Sequence, residues 1–239
     1  MLVVLDARIA DAELDAMVDI LQSYFLRRAL CTPSTANYKR IMATIAKVMR
    51  ENGLTAATLR DHLLALSGDS GRWPDDEEFG RAWLRAPLSE MLSNARLVHI
   101  YTRLNQTFIS NKAEALRFEK EPGTEHIMPQ EWRQNWPLPD GSTGLSREEV
   151  ERRTMDDPAS LATCRREDLF HVAGNLTLLT TELNSAQRNY GWAKKKPEML
   201  KHSLQHINQT IATATVWDEG EIKSNGRDLL RRALDIWPR

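Results

Sequence analysis

At 239 residues, 41% of them hydrophobic and 27% charged, the chain has enough apolar side chains for one large core or two modest ones and is not a disordered polymer. A formal net charge of −1 argues against coating nucleic acid by bulk electrostatics, so any such contact has to be local. Cys31 and Cys164 are isolated and suggest neither a disulfide framework nor a zinc cluster, and the lack of a long apolar run or apolar leader points to a cytoplasmic protein with no membrane partner.

Over roughly the first 115 residues apolar side chains recur three and four positions apart, the period of helices joined by short polar turns. Leu14, Met17, Val18, Leu21, Phe25 and Leu26 form one stripe, and Ile41, Ile45, Val48 and Met49 another. A third helix is predicted from Thr55 through Leu59, Leu63, Leu64 and Leu66, ending at the Gly68–Gly71 turn. A further run from Leu88 through Leu92, Leu97, Ile100 and Leu104 can pack on these, which makes this half an N-terminal helical bundle.

Composition changes after Lys120. Pro122, Pro129, Pro137 and Pro139 with Gly123, Gly141 and Gly144 exclude long helices there. Thr124–Met128 is predicted as a strand ended by Pro129, and Asn175–Thr180 as a second strand after Gly174. Helices follow over Glu182–Asn189, Pro197–Ala212 and Glu221–Ile236. The chain thus divides into a helical scaffold or coupling region, 1–120, and a second domain, 121–239, with a small strand, connection, strand, helix core inside a mainly α protein.

The chemistry concentrates in Glu125-His126-Ile127-Met128-Pro129-Gln130, Gly174-Asn175-Leu176-Thr177-Leu178-Leu179 and Leu183-Asn184-Ser185. A neutral imidazole takes a proton from water near pH 7, and a carboxylate and an amide oxygen suit a hard cation such as Mg²⁺. These are parts for metal-assisted phosphodiester hydrolysis, although a Glu-His pair on a strand is also compatible with a purely structural role. From Thr181 to Lys201, Arg188, Lys194, Lys195, Lys196 and Lys201 exceed Glu182 and Glu198 by three charges, which fits either a local nucleic-acid contact or a solvated helical face.

Glu-His-Ile-Met-Pro-Gln resembles the first strand of HNH (ββα-metal) nucleases. Gly-Asn-Leu-Thr-Leu-Leu-Thr with Leu-Asn-Ser, then Asn189, Trp192 and Lys195, is similar to the C-terminal nuclease domain of GmrSD-type modification-dependent restriction enzymes and related phage-defence proteins. The resemblance covers roughly Glu121 to Pro238, with a weaker echo at Tyr24-Phe25-Leu26-Arg27-Arg28. It implies that His126 is the general base, that Asn175 orients its imidazole, and that Glu125 and Asn184 hold Mg²⁺ or Mn²⁺. Asn184 stands where many such motifs carry His, so Asn189 is an alternative ligand. Lys194, Lys195, Lys196 and Arg188 become candidates for holding the DNA backbone, with Lys195 favoured. The implied activity is nicking or cutting of double-stranded foreign DNA in restriction and antiviral defence. Such enzymes usually carry an N-terminal nucleotide-hydrolysing sensor domain. This chain has no Gly-x-x-x-x-Gly-Lys-Ser/Thr loop, so the sensor is expected in a longer chain or on a separate partner. A catalytically silent DNA-binding adaptor and an RNA nuclease are the rival readings.

Three further signals have bland readings beside them. Gly68-Asp69-Ser70-Gly71 superficially resembles a serine-protease nucleophile loop but sits between predicted helices with no matching His segment. His202 and His206 have the spacing of a two-His metal site on one helical face. Of the tryptophans, Trp192, Trp217 and Trp237 are expected to pack, whereas Trp132 and Trp136 are expected to stack on bases.

Overall fold

The computed structural model of the protein describes residues 9–31, 37–109, 122–154, 156–180, 190–203 and 205–239. The predicted helix at Glu182–Asn189, with Asn184, Arg188 and Asn189, lies outside the described residues. The described chain is mainly helical with one two-stranded sheet, and it forms two compact units, Met1–Ala82 with Ala233–Arg239, and Trp83–Arg232. Among the described residues no helix is long and apolar enough to cross a membrane.

The first unit contains α1 (Asp11–Cys31), α2 (Tyr38–Asn52), α3 (Ala56–Ala65) and most of α4 (Asp76–Arg85). Its core is Met17, Ile20, Tyr24, Ile41, Ile45, Met49, Leu59, Leu63 and Trp73. Helix α3 starts where the periodicity predicts, because the Thr55 side chain accepts a hydrogen bond from the Thr58 amide and caps the first turn. The buried face of α1 differs from the predicted stripe. Val18 is exposed, and the buried positions are Met17, Ile20, Ser23, Tyr24, Arg27, Arg28 and Leu30. Two buried guanidinium groups are held there largely by backbone oxygens. Arg28 donates to the carbonyls of Ser70 and Arg72, Arg27 to those of Pro74 and Trp237, and Arg27 also pairs with Asp76 at 2.7 Å. Tyr24 donates to the Gly71 carbonyl at 2.6 Å. The segment Gly68–Gly71, with its protease-like sequence, is therefore a turn clamped by its backbone onto α1.

The second unit continues from the end of α4 with α5 (Leu88–Met91), α6 (Asn94–Gln106), β1 (Pro122–His126), a 3-10 turn (Trp132–Gln134), α7 (Arg147–Glu151) and α8 (Pro158–Glu167). A second 3-10 turn (Ala173–Asn175) leads into β2 (Leu176–Thr180), followed by α9 (Trp192–His202), α10 (His206–Ile211) and α11 (Glu219–Ile236), of which the residues through Arg232 belong to this unit. The strands pair antiparallel, Pro122 opposite Thr180 and His126 opposite Leu176. Helix α6 packs on both strands and α10 on β2, so Leu176, Thr177, Leu178 and Leu179 are buried on both faces of the sheet. Thr177 is the polar member of that run, and its hydroxyl donates to the Asn208 side chain. At Gly174 a Cβ would lie 2.0 Å from the Ile222 carbonyl oxygen, so glycine is what lets the backbone of α11 close on the turn before β2.

Two predictions are corrected here. Trp132 and Trp136 are 1% and 4% exposed and cannot stack on bases. Trp132 lies against Gly144 with Arg133 and Arg166 over its ring, and Trp136 donates to the Tyr190 carbonyl, so both hold the proline-rich connection together. Instead of one helix over Pro197–Ala212 there are two, because the chain turns after His202. His202 and His206 consequently belong to different helices.

Candidate active site

Glu125 and His126 are consecutive on β1 and therefore leave the strand on opposite faces, Glu125 opposite Thr177 and His126 opposite Leu176. The pairing continues one step past the strand through the Ile127 amide, which donates to the Asn175 carbonyl at 2.8 Å. Beyond it the fully buried Asn175 side chain closes the structure. Its Oδ1 accepts from the Met128 amide at 2.9 Å and from Trp217 Nε1 at 3.2 Å, and its Nδ2 donates to the carbonyls of Met128 and Phe170 at 3.1 and 3.0 Å. The amide thus uses its capacity on backbone and indole rather than on the imidazole of His126. Phe170, whose carbonyl it holds, stacks its ring on His126 with centroids 4.1 Å apart and planes 11° from parallel.

The imidazole of His126 meets a chain of polar groups that no sequence motif announced. Its Nε2 lies 3.2 Å from Ser89 Oγ, Ser89 Oγ lies 2.6 Å from His171 Nδ1, and His171 Nε2 lies 3.1 Å from Glu90 Oε1. Ser89 and Glu90 are neighbours on α5, whereas His171 comes from the segment after α8. Ser89 Oγ thus bridges the two rings, meeting His126 through its Nε2 and leaving the Nδ1 of that ring without a contact to Ser89.

Burial above all, then the neighbouring His171 and Lys195, push the His126 imidazole down from 6.5 to about 3. It is therefore neutral at pH 7. Because the unfolded chain takes up this proton below about 6.5 and the folded chain does so only near 3, the unfolded state binds more protons between those limits, and stability falls as pH drops through that window. Thermal melts from pH 7 to pH 4 are expected to show a larger loss for wild type than for His126→Gln. Parallel profiles would show that His126 is not the buried neutral group described here.

On the other side of the strand, Lys195 is 1% exposed. Its ammonium donates to the His126 carbonyl at 2.8 Å and stands 3.8 Å from Glu125 Oε1. Burial lowers its pKa to about 8, with Glu125 acting in the opposite direction. Lys195 is thus tied to β1 and is not a cation on open surface. Its two neighbours are also engaged, Lys196 donating to the Ala214 carbonyl at 2.8 Å and Lys194 lying 3.6 Å from the centre of the Tyr190 ring, whereas Lys201 is exposed.

Among the described residues no group of three or more His, Cys, Asp or Glu side chains comes together to hold a metal. A hydrated Mg²⁺ asks less of the protein, one or two carboxylate oxygens with the rest of its shell made of water and substrate. Glu125, with 16% of its side chain exposed beside His126, is a donor of that kind. The described residues accordingly fit a hydrated cation and not a closed protein cage.

A family model described as "GmrSD restriction endonucleases, C-terminal domain" matches residues 73–232, so the match takes in α4 to α6 as well as the two strands. No curated protein and no solved structure matches the chain.

Proposed function

This chain belongs to the family formed by the C-terminal domain of GmrSD restriction endonucleases, and from that premise we propose that it is an HNH-type, divalent-metal-dependent DNA endonuclease in which His126 activates the attacking water. The observation that best supports this reading is the pairing of a neutral, ring-stacked His126 with the adjacent Glu125 carboxylate on a strand whose end is clamped by Asn175. His126 accepts the water's proton on the nitrogen away from Ser89, while Ser89, itself bonded to His171, holds Nε2. Glu125 and Asn184, or Asn189 in its place, would hold Mg²⁺ or Mn²⁺, with β1 and β2 as the two strands of the ββα-metal core. A bound dication supplies charge neutralisation at the scissile phosphate. Lys195 orients the Glu125 carboxylate through their ion pair. Asn175 is a positioning residue, acting through Phe170 and the Met128 backbone.

In this proposal residues 121–239 carry the nuclease and 1–120 couple it to a nucleotide-hydrolysing sensor on the same or a partner chain, for cytoplasmic defence against foreign phage DNA. The test is conversion of supercoiled plasmid with Mg²⁺, Mn²⁺ or EDTA, beside a structured RNA of similar length. Divalent-dependent appearance of open-circular or linear DNA, with the RNA intact, is the expected result. DNA binding without conversion in any metal would overturn the assignment in favour of an adaptor, and preferential RNA loss would make it an RNA nuclease.

A further inference from the structure

Lys194, Lys195 and Lys196 make contacts within the protein, yet a nuclease needs cations free to meet phosphates. A groove of about 540 Å³ in the second unit offers them. Arg85 at the end of α4, Arg165 on α8 and Lys223 on α11 line it, and His171 is part of its wall. An adjoining hollow of about 240 Å³ shares Arg85 and Lys223 and adds Arg227, one helical turn from Lys223 on the same face of α11. All four cations are exposed, and none of their side chains makes a hydrogen bond or an ion pair to a described residue. By contrast Arg133, Arg147, Arg153 and Arg166 of the same unit each pair with a carboxylate. Of the acidic residues at the groove, Glu167 is already neutralised by Arg133, which leaves Asp168 against four cations.

From this arrangement we infer that the groove binds the sugar–phosphate backbone of duplex DNA, with Arg85, Arg165, Lys223 and Arg227 holding successive phosphates. The cations are spread over three helices and two continuous hollows, an extended array that suits a polyanion better than a single small anion. Leu84, Leu169 and Val172 between them give an apolar floor for sugar faces. His171 links the groove to the chemistry, because its Nδ1 meets Ser89, which in turn meets His126. A strand lying here passes beside the proposed general base.

This inference rests on the nuclease reading for its choice of polyanion, and its test separates the two. Binding of a short fluorescein-labelled duplex is followed by anisotropy in EDTA, where no cleavage occurs, for wild type, His126→Ala, Arg165→Ala/Lys223→Ala, and Lys39→Ala/Arg40→Ala as a control of equal charge loss on the exposed face of α2. Wild type, His126→Ala and the control are expected to bind alike. The groove variant should bind about tenfold more weakly at moderate salt, with the slope of log affinity against log salt shallower by about two. Wild-type affinity and slope in the groove variant, equal weakening in the control, or no duplex binding by wild type would each overturn the groove assignment. Groove-dependent binding without plasmid conversion in any metal would leave the groove standing and remove the nuclease.

Discussion

Replacing His126 with alanine is expected to abolish divalent-dependent plasmid conversion, with a fall of about two to four orders of magnitude in rate, while duplex binding in EDTA stays at the wild-type level. The size follows from the place of the ring. It is the titratable group of the site held neutral at pH 7, and it has a nitrogen left over after Ser89 has been satisfied. Substitution removes the proton acceptor and also the stacking partner of Phe170, so the folded fraction has to be measured alongside the rate. His126→Gln separates these effects, since glutamine fills part of the space without accepting a proton at neutral pH. Loss in both variants with unchanged binding marks His126 as the base. Full cleavage by either variant, pure and folded, would remove it from that role.

How far this site can be read from the sequence depends on which contacts are local. Helices α1 to α3 follow from apolar residues three and four apart, and β2 from Leu-Thr-Leu-Leu-Thr after a glycine, because each pattern is written within one element. The predicted strand Thr124–Met128 overlaps β1 but runs too far. Asn175 captures the Met128 backbone with its side chain and so takes that residue out of the ladder. Ser89, Glu90 and His171 carry no signal of their own, since α5 and the segment after α8 meet β1 only in the folded unit. Lysines 194 to 196 read as a solvated or DNA-facing patch because charge in a sequence does not reveal burial. Lys195 is inside because Glu125 and the His126 carbonyl together replace its water. The arginines on α1 mislead in the same way, as their partners are carbonyls of residues 70 to 74 and 237, far away in the chain.

Asn175→Ala is expected to have the largest effect on stability of any change at the site, and it tests the same argument from the side of the scaffold. The amide satisfies the Met128 amide, the Trp217 indole N–H and the carbonyls of Met128 and Phe170, all inside the protein. Alanine strands these groups and leaves a small void that water reaches poorly. A buried polar group left without a partner costs about 1–3 kcal/mol, and since neighbouring losses relax together, a total of about 4 kcal/mol is expected in chemical denaturation. Asn175→Asp is the sharper probe, because it keeps the shape and both acceptor contacts but turns the two donor contacts into oxygen facing carbonyl oxygen. Below its melting temperature that variant should still bind duplex DNA, yet cleave about ten- to a hundredfold more slowly, as Phe170 no longer fixes the plane of the His126 ring. Stability lost with the catalytic rate unchanged would show that Asn175 only supports the fold. A rate lost with little change in stability would place it nearer the reacting groups than its four hydrogen bonds put it.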